Sequence, residues 1–179
     1  MDLLTNEKYD LKELGFSGNT LLQLNNLIDI SDYHKHIKAK ENFVKLGKKI
    51  LPVMNKLMTS KYRVIRKEAI KIVRDIGDPS STQVVIDMLE DPEGDIRWIA
   101  AESLINIGRI TFKPILEALV TNGESYYLRQ GAHHVLKALI KKEDAKELKQ
   151  LVRVIRHDTK IPETIPVKAA LALGIEEIS

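Results

Sequence analysis

The sequence contains no cysteine, which excludes disulfide scaffolds, thiolate zinc sites and cysteine nucleophiles at once. An excess of charge of one sign is also nearly lacking. Lys and Arg number 28 against 25 Asp and Glu, a net +3, too slight an excess to imply nucleic acid by itself, although a pI near 8.9 leaves that partner open. No apolar run approaches the roughly 20 residues that span a bilayer, so no membrane partner is expected. The first residues, Met1-Asp2-Leu3-Leu4-Thr5-Asn6-Glu7, have neither the basic start nor the apolar stretch of a secretory signal. A soluble, cytoplasmic protein is the expectation.

What is present fits a globular chain. Hydrophobic residues make up 44% and charged residues 30% of 179 positions, enough for one domain, 1–179, with a continuous core. Comparison of the chain with itself shows a repeat. Arg66, Ala69, Val73, Ile76 and Gly77 coincide with Arg97, Ala100, Leu104, Ile107 and Gly108 at a shift of 31. A shift of 32 brings in Arg129, Ala132, Leu136 and Leu139, and a shift of 30 the other way gives His36, Ala39, Phe43, Leu46 and Gly47. A partial last copy keeps Pro166, Ala170, Leu173 and Gly174.

Each column has a physical reason. The alanine and the aliphatics four and seven positions later form the buried stripe of a helix. Small alanine side chains suit a close helix crossing. The glycine stands where a helix ends in a left-handed turn. A second, shorter helix then follows, with Pro52 and Pro114 in its first turn and Leu57, Leu89, Leu119 and Leu151 at its buried end. Two helices in about 31 residues leave only tight loops, so successive pairs stack into an all-α solenoid.

The stretch Asp91-Pro92-Glu93-Gly94-Asp95-Ile96-Arg97, followed by Ala100-Ala101, Leu104, Ile107-Gly108 and Pro114-Ile115-Leu116, resembles a HEAT repeat. It is most similar to the short phycobilisome-lyase type of HEAT-like unit, with the tetratricopeptide and ankyrin signatures absent. The resemblance implies a right-handed superhelix of helix pairs and a concave binding face lined by the second helices. It divides the chain into an N-terminal capping helix region, 1–30, four helix-pair repeats, 31–157, and a loop with a partial repeat, 158–179. Asn19 is read as the cap of the first helix, and Ser31 and Asp32 as caps of the next. The terminal apolar helix, Val167 to Leu173, either closes the stack or serves as an interface, self-association included.

The candidate binding residues come from counting back from the buried leucines of the second helices. Two positions back stand Asn55, Asp87, Glu117 and Lys149; six back stand Leu51, Gln83, Lys113 and Ala145. The mixed signs suit another protein or peptide better than a phosphate backbone. Trp98 takes the place of Lys67 and Gln130 in neighbouring repeats, so it is expected to be at least partly exposed, as interface anchors are. The alternative is a nucleic-acid face on one side of a first helix, made of Arg63, Lys67, Lys71 and Arg74. In HEAT-like units the arginine of the Arg66, Arg97, Arg129 column commonly ties to an Asp six residues earlier, which Asp91 supplies for Arg97 but Ser60 and Gly123 do not supply for the others. Ser103 is expected outside the buried stripe.

Neither metal nor catalysis is expected. His133 and His134 are adjacent, about 100° apart on a helix, and His34 and His36 are also badly spaced. The pair His157-Asp158 lacks a nucleophile, and Gly15-Phe16-Ser17-Gly18 matches no phosphate cradle. The diiron HEAT-like hydroxylases use His-Glu dipeptides, which this sequence lacks. The HEAT-like DNA glycosylases use a basic concavity with aromatic residues, unlike the mixed row found here. Bilin lyases share the repeat type, but fold does not decide function. No cofactor is expected, and a small non-enzymatic scaffold, adaptor or inhibitor is the reading the sequence supports.

Overall fold

A computed structural model describes residues 18–29, 31–141, 144, 146–157 and 164–174. The helices among them are α1 (Gly18–Ile28), α2 (Tyr33–Leu46), α3 (Leu51–Met58), α4 (Arg63–Ile76), α5 (Thr82–Asp87), α6 (Gly94–Ile107), α7 (Phe112–Asn122), α8 (Tyr126–Leu139), α9 (Lys146–His157) and α10 (Thr164–Ala172). No strand occurs among the described residues. The first helices lie side by side in the order α2, α4, α6, α8, and each second helix packs on the next first helix: α3 on α4, α5 on α6, α7 on α8. This is the α-solenoid that the sequence pattern predicts.

The columns explain the stacking. Ala39, Ala69, Ala100 and Ala132 are each at most 1% exposed, because a methyl group is all that fits where neighbouring first helices cross. Leu57, Leu89, Leu119 and Leu151 are buried in the same core, which runs without a break from Leu24 to Ala169. Gly47, Gly77, Gly108 and Gly174 all have positive φ, the turn a side chain resists. At Gly77 the next repeat joins in: Asn106 Nδ2 donates to the Arg74 carbonyl at 2.7 Å, satisfying a helix-end acceptor that α4 leaves open.

Three expectations need correcting. Helix α1 starts at Gly18, so Asn19 lies inside its first turn rather than at its cap. Asp32 does cap α2, accepting from the Lys35 amide, while Ser31 donates to Asp29. Ser103 is fully buried, and its hydroxyl donates to the Ile99 carbonyl at 2.6 Å. A small residue there fills the gap between crossing helices, as the alanines do.

The end of the stack is built differently from the repeats before it: α9 packs against both α8 and α10, and α10 lies along α7, where it continues the row of second helices. Pro166 is seated against Gly123 at the end of α7. At the other end, α1 lies on α2 and α4, held by the His36 ring, whose Nδ1 is 2.8 Å from the Leu27 carbonyl.

Candidate interaction surfaces

The second-helix face carries a groove between α5 and α7. Gln83 and Asp87 from α5 and Glu117 from α7 line it, together with Glu90 and Asn122. Its floor is apolar, made by Ile86, Ala118 and Leu128, and its volume is about 300 Å³. Gln83 Nε2 donates to Asp87 Oδ1 at 3.2 Å, and Asn122 Nδ2 to Glu90 at 3.0 Å, which orders both carboxylates. Lys113 stands at the margin, its ammonium 3.8 Å from Glu117 and its side chain 76% exposed, too open a pair to neutralise the groove.

Two residues of the expected row do not join it. Asn55 is half-buried and accepts from the buried Ser81 hydroxyl at 3.1 Å, a structural tie between repeats. Lys149 is carried away with α9, because that helix is not in the second-helix row; it lies near Asp144 instead. Glu90 and Asn122 escaped the count from the leucines. Glu90 follows Leu89 in a 3₁₀ turn, Met88–Glu90, whose tighter winding breaks the 3.6-residue phase.

The basic stripe of α4 is matched by carboxylates. Arg63 pairs with Glu93 at 3.2 Å and Asp95 at 2.6 Å, Lys67 with Asp95 at 2.7 Å, and Lys71 with the buried Glu68 at 2.6 Å. Arg74 pairs with Asp75 at 2.9 Å, which also binds Lys40 at 2.7 Å. Hydrogen bonding from Lys67 holds the Asp95 carboxyl below its usual range, against a smaller opposing effect of burial. At Asp75 burial acts to raise the pKa, but hydrogen bonds from Lys40 and Arg74 together outweigh it and the net shift is downward. Arg63 and Lys67 are thus tied across the α4–α6 seam, and Lys71 and Arg74 to carboxylates of α4 itself, so each cation of the stripe already faces a counter-charge.

The arginine column forms a complete ladder by a route that side-chain spacing hides. In each repeat Nη1 donates to the carbonyls six and five residues back: Arg66 to Ser60 and Lys61, Arg97 to Asp91 and Pro92, Arg129 to Gly123 and Glu124. Every residue has a carbonyl, so the residue type at that offset is free to vary. The expected Asp91–Arg97 carboxylate tie is replaced. Asp91 accepts a two-pronged bond from Arg66 of the preceding repeat, at 2.6 and 3.1 Å, and the Arg97 guanidinium lies 3.8 Å over the Tyr127 ring of the following one.

Trp98 is 58% exposed, but on the first-helix face, away from the α5–α7 groove. Its ring meets that of His134, 4.6 Å between centroids, and His134 Nε2 lies 2.8 Å from Glu102. His133 lines the same cleft as Trp98. The described residues include no group of three His, Cys, Asp or Glu side chains able to hold a metal, and His157 and Asp158 lie outside the described side chains. No helix among the described residues is long and apolar enough to cross a membrane.

Residues 50–137 match the family model for HEAT repeats. No curated protein and no solved structure matches the chain. The matching model is the general one, so the phycobilisome-lyase type stays a resemblance. The match runs from the approach to α3 through most of α8 and takes in Ala69, Ala100, Ala132, Gly77, Gly108 and the arginine column, and the chain is a HEAT-like repeat protein.

Proposed function

We propose that the chain is a non-enzymatic interaction module, a small cytoplasmic scaffold, adaptor or regulatory inhibitor, that grips a protein segment bearing lysine or arginine along its second-helix face. HEAT repeats are generally protein-interaction scaffolds and typically lack enzymatic activity. The observation that carries the reading is the α5–α7 groove, in which Asp87, Glu90 and Glu117 surround an apolar floor. Such a groove accepts the aliphatic stem of a lysine or arginine on its floor and the cationic head at its rim.

The basic stripe is the less favoured surface, since each of its four cations already faces a carboxylate. Fluorescence anisotropy with a labelled peptide of alternating lysine and leucine tests the proposal. The native chain is expected to bind it, and the double variant Asp87→Lys, Glu117→Lys to bind at least about tenfold more weakly. Equal binding by the two would remove the groove from consideration. Binding of generic duplex DNA that falls steeply between low and moderate salt would replace the proposal with a nucleic-acid function.

A further inference from the structure

The repeat allows one seam of the stack to be compared with the next, position by position. At the α4–α6 seam, Arg63 and Lys67 both reach Asp95 and close the surface with ion pairs. At the α6–α8 seam the same positions hold Gly94 in place of Arg63, Trp98 in place of Lys67, and Tyr127 in place of Asp95. The charges that would close the seam are missing from it, and a cleft of about 380 Å³ opens between the helices.

Two facing helical stripes build this cleft. Gly94, Ala101 and Gly131 leave its floor without bulk, and Trp98 and Tyr127 stand as its walls. Trp98 is backed by the His134 ring. Arg97 is the cleft's fixed cation: Nη1 is held by two carbonyls, the guanidinium lies on Tyr127, and Nη2 sits 3.5 Å from where a Cβ on Gly94 would stand. Among the described residues Arg97 Nε and Nη2 donate to no partner. No carboxylate lines the cleft, because Glu102 is turned to His134 Nε2. The electrostatic character is thus opposite to that of the α5–α7 groove.

We propose that the α6–α8 cleft is a second docking site, for a protein segment that presents an aromatic or bulky aliphatic side chain beside a carboxylate. The apolar side chain enters over the glycine floor against Trp98, and the carboxylate meets the free edge of Arg97. Desolvated aromatic residues with a neighbouring arginine are the composition of interface anchors, and the exposed aromatic surface continues onto Tyr126, 51% exposed. A nucleic acid fits less well. Beyond Arg97, the cations of α4 on the neighbouring seam are paired with carboxylates, so no track of free charge leads a phosphate backbone onward. The site lies on the first-helix layer and does not depend on the α5–α7 groove.

Trp98 is the only tryptophan in the sequence and lines this cleft, so the intrinsic indole emission reports on it, and Gln130, which lines this cleft but not the neighbouring hollow beside Arg74 and Glu102, localises the response. The probes are a decapeptide with one phenylalanine between aspartates, its counterpart with lysine for each aspartate, and oligo(dT). The acidic peptide is expected to change the emission saturably and to bind at least about tenfold more tightly than the lysine peptide. Gln130→Glu puts a carboxylate at an exposed position in the cleft lining. It is expected to weaken the acidic peptide about tenfold without moving the thermal melt, whereas Asp87→Lys in the other groove leaves that binding unchanged. An absent response, an equal response to the lysine peptide, unaltered affinity in Gln130→Glu, or a change driven by oligo(dT) instead would each overturn the proposal.

Discussion

Asp91 joins two repeats through one side chain. Its carboxylate is almost fully enclosed, accepts two bonds from Arg66 of the preceding pair, and turns its own loop by accepting from the Glu93 amide at 2.9 Å. Spacing alone pointed to Arg97 as its partner, since the two lie six residues apart. The conformation of the ladder defeats that inference: Arg97 takes the Asp91 carbonyl, leaving the carboxylate for the neighbouring repeat. Removing a member of a buried, hydrogen-bonded pair strands the other charge, so Asp91→Ala is expected to lower stability by about 3–5 kcal/mol in urea unfolding. A loss below about 1 kcal/mol would place the pair among weak surface contacts. Ser103 teaches a related lesson. A hydroxyl that bonds its own helix four residues back is compatible with full burial, so a polar residue type does not by itself place a position on the outer face.

At the scale of elements, the columns that recur with a helix-breaking glycine were legible. Gly47, Gly77 and Gly108 mark where α2, α4 and α6 end, and the alanines mark the crossings. The end of the stack is less legible because its columns are incomplete. No glycine follows Leu139, and α8 instead ends at Ile140 in an extended conformation, which removes the punctuation that announces a second helix. Helix α10 then fills the vacant place beside α7, although its Ala170, Leu173 and Gly174 fit a first-helix pattern equally well. The same arrangement explains which candidate residues come together: Gln83, Asp87 and Glu117 share one groove because their helices keep the repeat register, and Lys149 stands apart because α9 leaves it. Gly123 is where α7 and α10 touch. A Cβ there would stand 2.5 Å from the Leu119 carbonyl oxygen and 2.9 Å from Pro166 Cδ, contacts that force the backbone to shift. Gly123→Ala is expected to cost about 1–3 kcal/mol by overpacking and to speed amide exchange in α10 more than in α4. Unchanged exchange in α10 would show that the helix is held by α9 rather than by α7.

Across the whole molecule, the stack is close to one-dimensional, so its stability depends on the bonds between neighbouring units as much as on each unit. Several of those bonds end on carboxylates whose acidity is altered. Asp75 receives Lys40 across the α2–α4 seam, and Asp95 receives Lys67 and Arg63 across the α4–α6 seam. Asp144 receives Arg109, with Nη1 at 2.9 Å. Hydrogen bonds from Arg109 and then from the Lys141 amide bring the Asp144 carboxyl down to about 2, while Asp75 and Asp95 are also lowered from 3.8. A carboxyl more acidic in the folded chain than in the unfolded one contributes stability above its unfolded pKa and loses it as pH falls through the folded value. The contributions are therefore complete at neutral pH, begin to fade near 3.8 and, for Asp144, are lost by about 2. Because the three ties sit at successive places along the stack, acid loosens it at several joints. Thermal melts at fixed ionic strength are expected to hold steady from neutrality to about pH 4 and to fall below it. Asp95→Asn, which keeps the shape but cannot titrate, should begin with a lower melt and decline less steeply with acid. A parallel decline in the variant and the native chain would locate the acid sensitivity elsewhere in the molecule.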